Sequence, residues 1–77
     1  MEGKLILYND SKHTMIDVID MIWIATGYDE LQCEQLAVLA HTKGNVVIKE
    51  GDIDELIPMM ETMELERYKV KIELCEV

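Results

Sequence analysis

Three polar residues of this sequence carry the functional groups that bind a protonated amine. Asn9 and Asp10 follow a short apolar run, and His41 lies near the end of a helix-like segment. An amide oxygen, a carboxylate and an imidazole nitrogen can each accept a hydrogen bond from an ammonium group, and the carboxylate adds negative charge. The alternative is an ordinary turn at Asn9 and Asp10, with His41 only complementing the dipole at a helix end.

We call Asn9, Asp10 and His41 the amine receptor. A set of apolar residues is spaced to line a side-chain pocket beside it. Met15, Val18 and Met21 follow one another on one predicted helix, and Ala40 precedes His41 on another. The flexible thioether of Met suits a pocket that accepts several side-chain shapes. The alternative for these residues is the ordinary hydrophobic core.

The sequence contains none of the common catalytic or metal-binding motifs. There is no G-x-S-x-G, phosphate-binding loop, H-E-x-x-H or paired C-x-x-C. Cys33 and His41 are separated by about 12 Å along one helix, too far to act as nucleophile and base. His13, His41 and Asp10 lack the close ligand spacing of a zinc site. We therefore expect no enzyme, no metal and no cofactor.

Composition limits the class of protein further. The 77 residues are 49% apolar, which suits a single domain over residues 1–77. Sixteen acids against seven bases give a formal charge of −9, which argues against a nucleic-acid partner and suits a cationic ligand. Two cysteines without a secretory signal indicate reduced thiols and a cytoplasmic protein. The longest apolar run, Met21 to Ala25, is too short to span a membrane, so no membrane partner is expected.

The elements that must position these residues follow the order β-α-α-β-α-β. Apolar runs and alternation predict strands at 4–8, 45–50 and 68–75, and helical periodicity with caps predicts helices at 14–26, 29–42 and after Asp52. Pro58 falls inside the third helix and is expected to kink or tighten it near Asp54. The order predicts an α+β two-layer sandwich, a three-stranded antiparallel sheet with three helices on one face.

The motifs together resemble the ClpS family of Clp protease adaptors. The run Leu7-Tyr8-Asn9-Asp10, then four residues, Met15 and Val18-Ile19-Asp20, is similar to the opening of that family. The second helix ends in His41-Thr42-Lys43-Gly44, similar to the family's H-x-x-G, and the 32 positions from Asn9 to His41 match without a gap. The resemblance covers nearly the whole chain.

The resemblance implies an adaptor that binds the bulky hydrophobic N-terminal residue (the N-degron) of client proteins. Such adaptors deliver the N-terminal segments of clients to the N-terminal domain of a ClpA-like AAA+ unfoldase, which works with ClpP. By position, Asn9 and His41 would bind the α-amino group and Asp10 would supply charge. The remaining site residues would be Met15 controlling entry to the pocket, Val18, Met21 and Ala40 as its walls, His13 at its rim, and Asp54 at the unfoldase docking surface.

Several positions depart from the family pattern. Ser11 stands where the family has a second Asp, and His13-Thr14 stands where it has Thr-Pro. Only a few residues precede the first strand, where the family carries an extension needed for delivery. These departures support an alternative: a regulatory module that docks on the unfoldase without degron delivery. A small-molecule enzyme is the third hypothesis, motivated only by the two His and two Cys.

Overall fold

A computed structural model describes residues 1–75 of the chain, in which six elements follow the predicted order. The strands are β1 (Glu2–Tyr8), β2 (Asn45–Asp52) and β3 (Lys69–Leu74), and the helices are α1 (Met15–Thr26), α2 (Glu30–Lys43) and α3 (Ile53–Leu65). The predicted α+β architecture is confirmed. Each element lies within a few residues of its predicted bounds.

The sheet has the order β2-β1-β3, and both pairs of strands are antiparallel. The central strand is β1, whose continuous apolar run is buried on both faces at Leu5, Ile6 and Leu7. The pairing of β1 with β2 shifts between Leu5 and Ile6, leaving Ile48 as the extra residue of a β-bulge. Val46 and Ile48, two residues apart on β2, both reach the core.

The helices pack on one face of the sheet and enclose the hydrophobic core. The largest fully buried side chains come from both layers: Leu5 and Leu7 from β1, Ile22 from α1, Cys33 from α2, and Leu56 and Met63 from α3. The third helix continues through Pro58 to Leu65, so the proline does not end it. Within residues 1–75, no helix is both long and apolar enough to cross a bilayer.

Helix caps fix the loops that carry the site residues. Thr14 and Asp17 form a capping box at the start of α1, which determines how the chain enters the helix after β1. Gly44 ends α2 with a left-handed φ of 90°, a conformation that glycine adopts without strain. The carbonyl of Gly44 then accepts a hydrogen bond of 2.9 Å from the backbone N–H of Asn9. This bond joins the end of β1 to the end of α2.

Candidate functional site

A small cavity lies where β1 ends, α1 begins, α2 ends and β3 begins. Its lining brings together most of the residues predicted from sequence: Asn9, Asp10, His13, Met15, Val18, Ala40 and His41. The hydrogen bond from Asn9 to Gly44 explains the convergence, because it places the loop after β1 beside the last turn of α2. The amide, the carboxylate and the second imidazole therefore share one cavity.

Two further residues named from the sequence lie outside this cavity: Met21, predicted as a wall of the pocket, and Asp54, predicted at the separate docking surface. Met21 is only 6% exposed and belongs to the core cluster; its outer edge borders a different depression beside Asp20 and Ile24. Six residues after Met15, it is turned about 120° around the helix axis, so it cannot face the same cavity. Asp54 lies in the exposed first turn of α3, where its backbone N–H donates to Asp52 Oδ1.

Four other residues line the cavity that the sequence did not single out for it: Leu7, Tyr8, Ala37 and Tyr68. Ala37 lies one helical turn before Ala40 and His41, so the spacing i, i+3, i+4 was a signal for it. Tyr68 is distant in sequence from the other lining residues, and it reaches the cavity only because β3 pairs with β1. No local pattern pointed to it.

The carboxylate of Asp10 is held by three hydrogen bonds. Its Oδ1 accepts from the backbone N–H groups of Lys12 and His13, each at 2.8 Å, and its Oδ2 accepts from His13 Nδ1 at 2.8 Å. Partial burial raises the pKa of Asp10, but the hydrogen bonds from His13 and Lys12 lower it by more, so it lies below its ordinary value. Asp10 is therefore ionised at neutral pH, with acceptor capacity left for one further donor.

His13 ties the loop after β1 to the turn after α3. Its Nδ1 faces Asp10 Oδ2, its Nε2 lies 3.0 Å from the carbonyl oxygen of Glu66, and its ring stacks on Tyr68 with centroids 3.7 Å apart. Both ring nitrogens face acceptors, and a neutral imidazole has only one N–H. The imidazolium form satisfies both contacts.

Tyr68 closes the side of the cavity formed by β3. It is 7% exposed, and burial together with the nearby carboxylates of Asp17 and Asp10 raises the pKa of Tyr68 to about 12. The phenol is therefore protonated at neutral pH and adds no negative charge to the site. Its ring gives the imidazole of His13 a flat surface to stack on.

The cavity is nearly closed in this conformation. Its volume is about 20 Å³, enough for about one water molecule and too small for a bulky side chain. Met15 is half-buried at its wall. Because Met has three rotatable side-chain bonds, a rotamer change of Met15 could enlarge the cavity at a small cost in free energy. No group of three His, Cys, Asp or Glu side chains within residues 1–75 is arranged to hold a metal ion.

The carboxylate of Asp10 should make stability depend on pH. A carboxyl group whose pKa is lower in the folded state stabilises that state above its unfolded pKa, and the contribution is lost as pH falls through the folded pKa. We expect Asp10→Asn to lower the free energy of unfolding by about 1 kcal/mol at pH 7. At pH 3 and below, the difference from the parent protein should shrink.

Urea unfolding of both proteins at the two pH values measures this effect. Asp20→Asn is the control, since Asp20 is exposed on α1 and makes no side-chain hydrogen bond within the described part of the chain. An equal loss at pH 7 and pH 3 for Asp10→Asn would show that its ionised form is not what stabilises the loop.

Comparison with known proteins matches this chain to one protein family and to several solved structures. The family model described as "ATP-dependent Clp protease adaptor protein ClpS" matches residues 2–72. The fold is similar to that of Agrobacterium tumefaciens ClpS2, solved bound to L-phenylalaninamide, with a TM-score of 0.79 and 18% sequence identity over 94% of this chain and 96% of that chain. The likeness to that structure shows the fold. Comparison with curated protein sequences finds no match.

Proposed function

We propose that this chain, which belongs to the ClpS family of ATP-dependent Clp protease adaptor proteins, binds the free N-terminal residue of client proteins. We further propose that it delivers those clients to a ClpA-type AAA+ unfoldase and ClpP. The observation that carries the proposal is the convergence of Asn9, Asp10 and His41 on one cavity. The related ClpS2 structure holds L-phenylalaninamide, a single amino acid with a free amine.

The polar side of the cavity suits an α-ammonium group. An ammonium has three N–H donors, and the Asn9 amide oxygen, an imidazole nitrogen of His41 and the remaining acceptor position of Asp10 supply three acceptors. Asp10 is ionised, which makes its hydrogen bond to a cation stronger than a neutral one. The formal charge of −9 also attracts a positively charged chain end.

The apolar side of the cavity suits the first side chain of the client. Met15, Val18 and Ala40 form its walls, and His13 lies at its rim against Tyr68. The flexible side chain of Met15 can change rotamer, and such a movement would open space for a bulky apolar group. Transfer of such a group out of water contributes about 1.5–3 kcal/mol.

The rest of the proposal follows from the family. The chain acts as one non-enzymatic adaptor domain over residues 1–77 in the cytoplasm, without a nucleic-acid or membrane partner. Asp54, exposed in the first turn of α3, is the residue we assign to docking on the N-terminal domain of the unfoldase. It lies outside the cavity, so docking and client binding use separate surfaces.

A peptide array with free N-termini tests the proposal. The peptides differ only in their first residue, with each of the twenty amino acids in turn. Leu, Phe, Tyr and Trp should bind more tightly than Gly or Asp by roughly tenfold or more, the effect of burying one large apolar side chain. Equal binding of all first residues, or none, would rule out an N-degron pocket.

The nearly closed cavity supports a second candidate function. The cavity has a volume of only about 20 Å³. If it stays closed, the chain would act as a regulatory module that docks on the unfoldase N-terminal domain and leaves the cavity unused. In that case a pull-down by the unfoldase domain survives His41→Ala, and no peptide of the array binds. Array binding that is lost on His41→Ala decides for the N-degron receptor.

A further inference from the structure

A second depression adjoins the cavity and gathers three of the seven basic side chains of the chain. Lys12, Arg67 and Lys69 line it together with Asn9, Asp10 and Ser11, and its volume is about 330 Å³. We call Lys12, Arg67 and Lys69 the cationic rim. Asn9 and Asp10 line both the depression and the cavity, so the two are continuous.

Within the part of the chain that the structure describes, no salt bridge neutralises the charges of the cationic rim. Its three side chains are exposed, and none of them forms an ion pair within residues 1–75. Asp10 is the acid in the depression, and its carboxylate is turned towards His13 and the backbone N–H groups of Lys12 and His13. A protein of formal charge −9 therefore presents a local positive field beside the amine receptor.

The backbone at Arg67 points to a role for its side chain. Arg67 has a φ of 64°, and within the described residues it is the one non-glycine residue with positive φ. It follows the last turn of α3, where Arg67 N–H donates to Glu64 and Tyr68 N–H donates to Met63, an arrangement in which Gly or Asn is usual. A long cationic side chain at a strained position indicates function.

We infer that the cationic rim binds an acidic side chain of the client, one or two residues after the N-terminal residue; this rests on the proposed function. The amine receptor fixes the start of the client chain beside Asn9 and Asp10. Successive residues of an extended chain are about 3.3–3.6 Å apart, so the second or third residue reaches the adjoining depression. Arg and Lys both bind carboxylates, Arg in a bidentate geometry.

The inference names a client class: N-terminal segments with a bulky apolar first residue followed by Asp or Glu. The negative charge of the whole protein favours clients with basic N-terminal segments. At the depression, the cationic rim instead favours acidic residues of the client. Because all three side chains are exposed, each contact is modest and sensitive to salt. The effect is selectivity among clients that already bind through their amine.

Three peptides with the same tail test the inference, starting Leu-Asp-Asp, Leu-Asn-Asn and Leu-Lys-Lys. Fluorescence anisotropy with the full chain at low salt should show Leu-Asp-Asp binding about fivefold more tightly than Leu-Asn-Asn. Leu-Lys-Lys should bind most weakly. At ionic strength near 0.5 M the preference should fall to about twofold or less.

Variants of the cationic rim test whether its side chains cause the preference for Leu-Asp-Asp. Arg67→Asn removes the charge with a residue that tolerates positive φ, and Lys12→Gln removes a second charge. The double variant should bind Leu-Asn-Asn as the parent does and lose most of the preference for Leu-Asp-Asp, because two of the three charges of the cationic rim are removed. Lys71→Gln is the matched control, because Lys71 pairs with Ile6 in the sheet and lies outside the depression.

The outcomes separate the two proposals. If Leu-Asn-Asn binds but Leu-Asp-Asp binds no more tightly, or if the preference survives in the double variant, the cationic rim is overturned and the N-degron function stands. If none of the three peptides binds, the proposed function fails and the inference fails with it.

Discussion

Acetylation of the first residue of a bound peptide is expected to lower its affinity by at least about 100-fold. Acetylation converts the ammonium into an amide with one N–H and no charge. At least two hydrogen bonds to charged groups are then lost, each contributing about 1.5–3 kcal/mol, and about 2.7 kcal/mol already corresponds to a factor of 100. The acceptors that the ammonium would satisfy also lose their shared partner.

Isothermal titration of a Leu-initiated peptide and its acetylated form measures this effect. The control is the same peptide acetylated on a distant lysine, which loses one charge but keeps its N-terminus. A second test is Asp10→Asn, which should weaken binding of the free-amine peptide and reduce the loss of affinity caused by acetylation. Free and acetylated peptides of equal affinity would contradict the assignment of Asn9, Asp10 and His41 to the amine.

Leu56→Ala is expected to lower the free energy of unfolding by about 2–5 kcal/mol. Leu56 is completely buried and belongs to the core cluster between α3 and the sheet. Removing its side chain leaves a cavity that close-packed neighbours fill only partly. A domain of this size has a net stability of only about 4–12 kcal/mol, so the loss is a large part of the total.

Leu65→Ala on the same helix is the control. Leu65 is 82% exposed, and its replacement should change stability by no more than about 0.5 kcal/mol. Urea unfolding followed by circular dichroism compares the two variants. If Leu56→Ala were no more destabilising than Leu65→Ala, α3 would not contribute to the core as described.

The order of elements was predictable because each is marked by local signals. Thr14, Asp29 and Asp52 cap the three helices, and Gly27 and Gly44 end the first two. Such signals depend on a few adjacent residues and can be read from one sequence. The β-bulge at Ile48 was not predictable, since it depends on the pairing of two strands distant in sequence.

The candidate site was predictable where its residues lie near the ends of elements. Asn9, Asp10 and His41 follow from the topology, because the loop after β1 and the last turn of α2 meet. Met21 was assigned to the wrong face, since α1 is apolar over a wide arc and periodicity alone did not say which arc faced the cavity. The contact of His13 with Tyr68 joins residues 55 positions apart and had no local signal.

The contact network around His13 has a consequence for the site. It joins the carboxylate of Asp10 to the carbonyl of Glu66 and places Tyr68 against the cavity. The turn that carries Arg67 is therefore held beside the loop that carries Asn9. Helix α3 contributes no lining residue of the cavity, but the turn that follows it contacts His13 through the carbonyl oxygen of Glu66.

An NMR titration with L-phenylalaninamide tests the central claim most directly, because it locates the bound amine residue by residue. We expect saturable amide shift changes at Asn9, Asp10, His41 and Gly44, and none of these with N-acetyl-L-phenylalaninamide at the same concentrations. Shift changes confined to the outer surface of α1 and α2, around Trp23 and Leu31, or equal changes with both compounds, would contradict it.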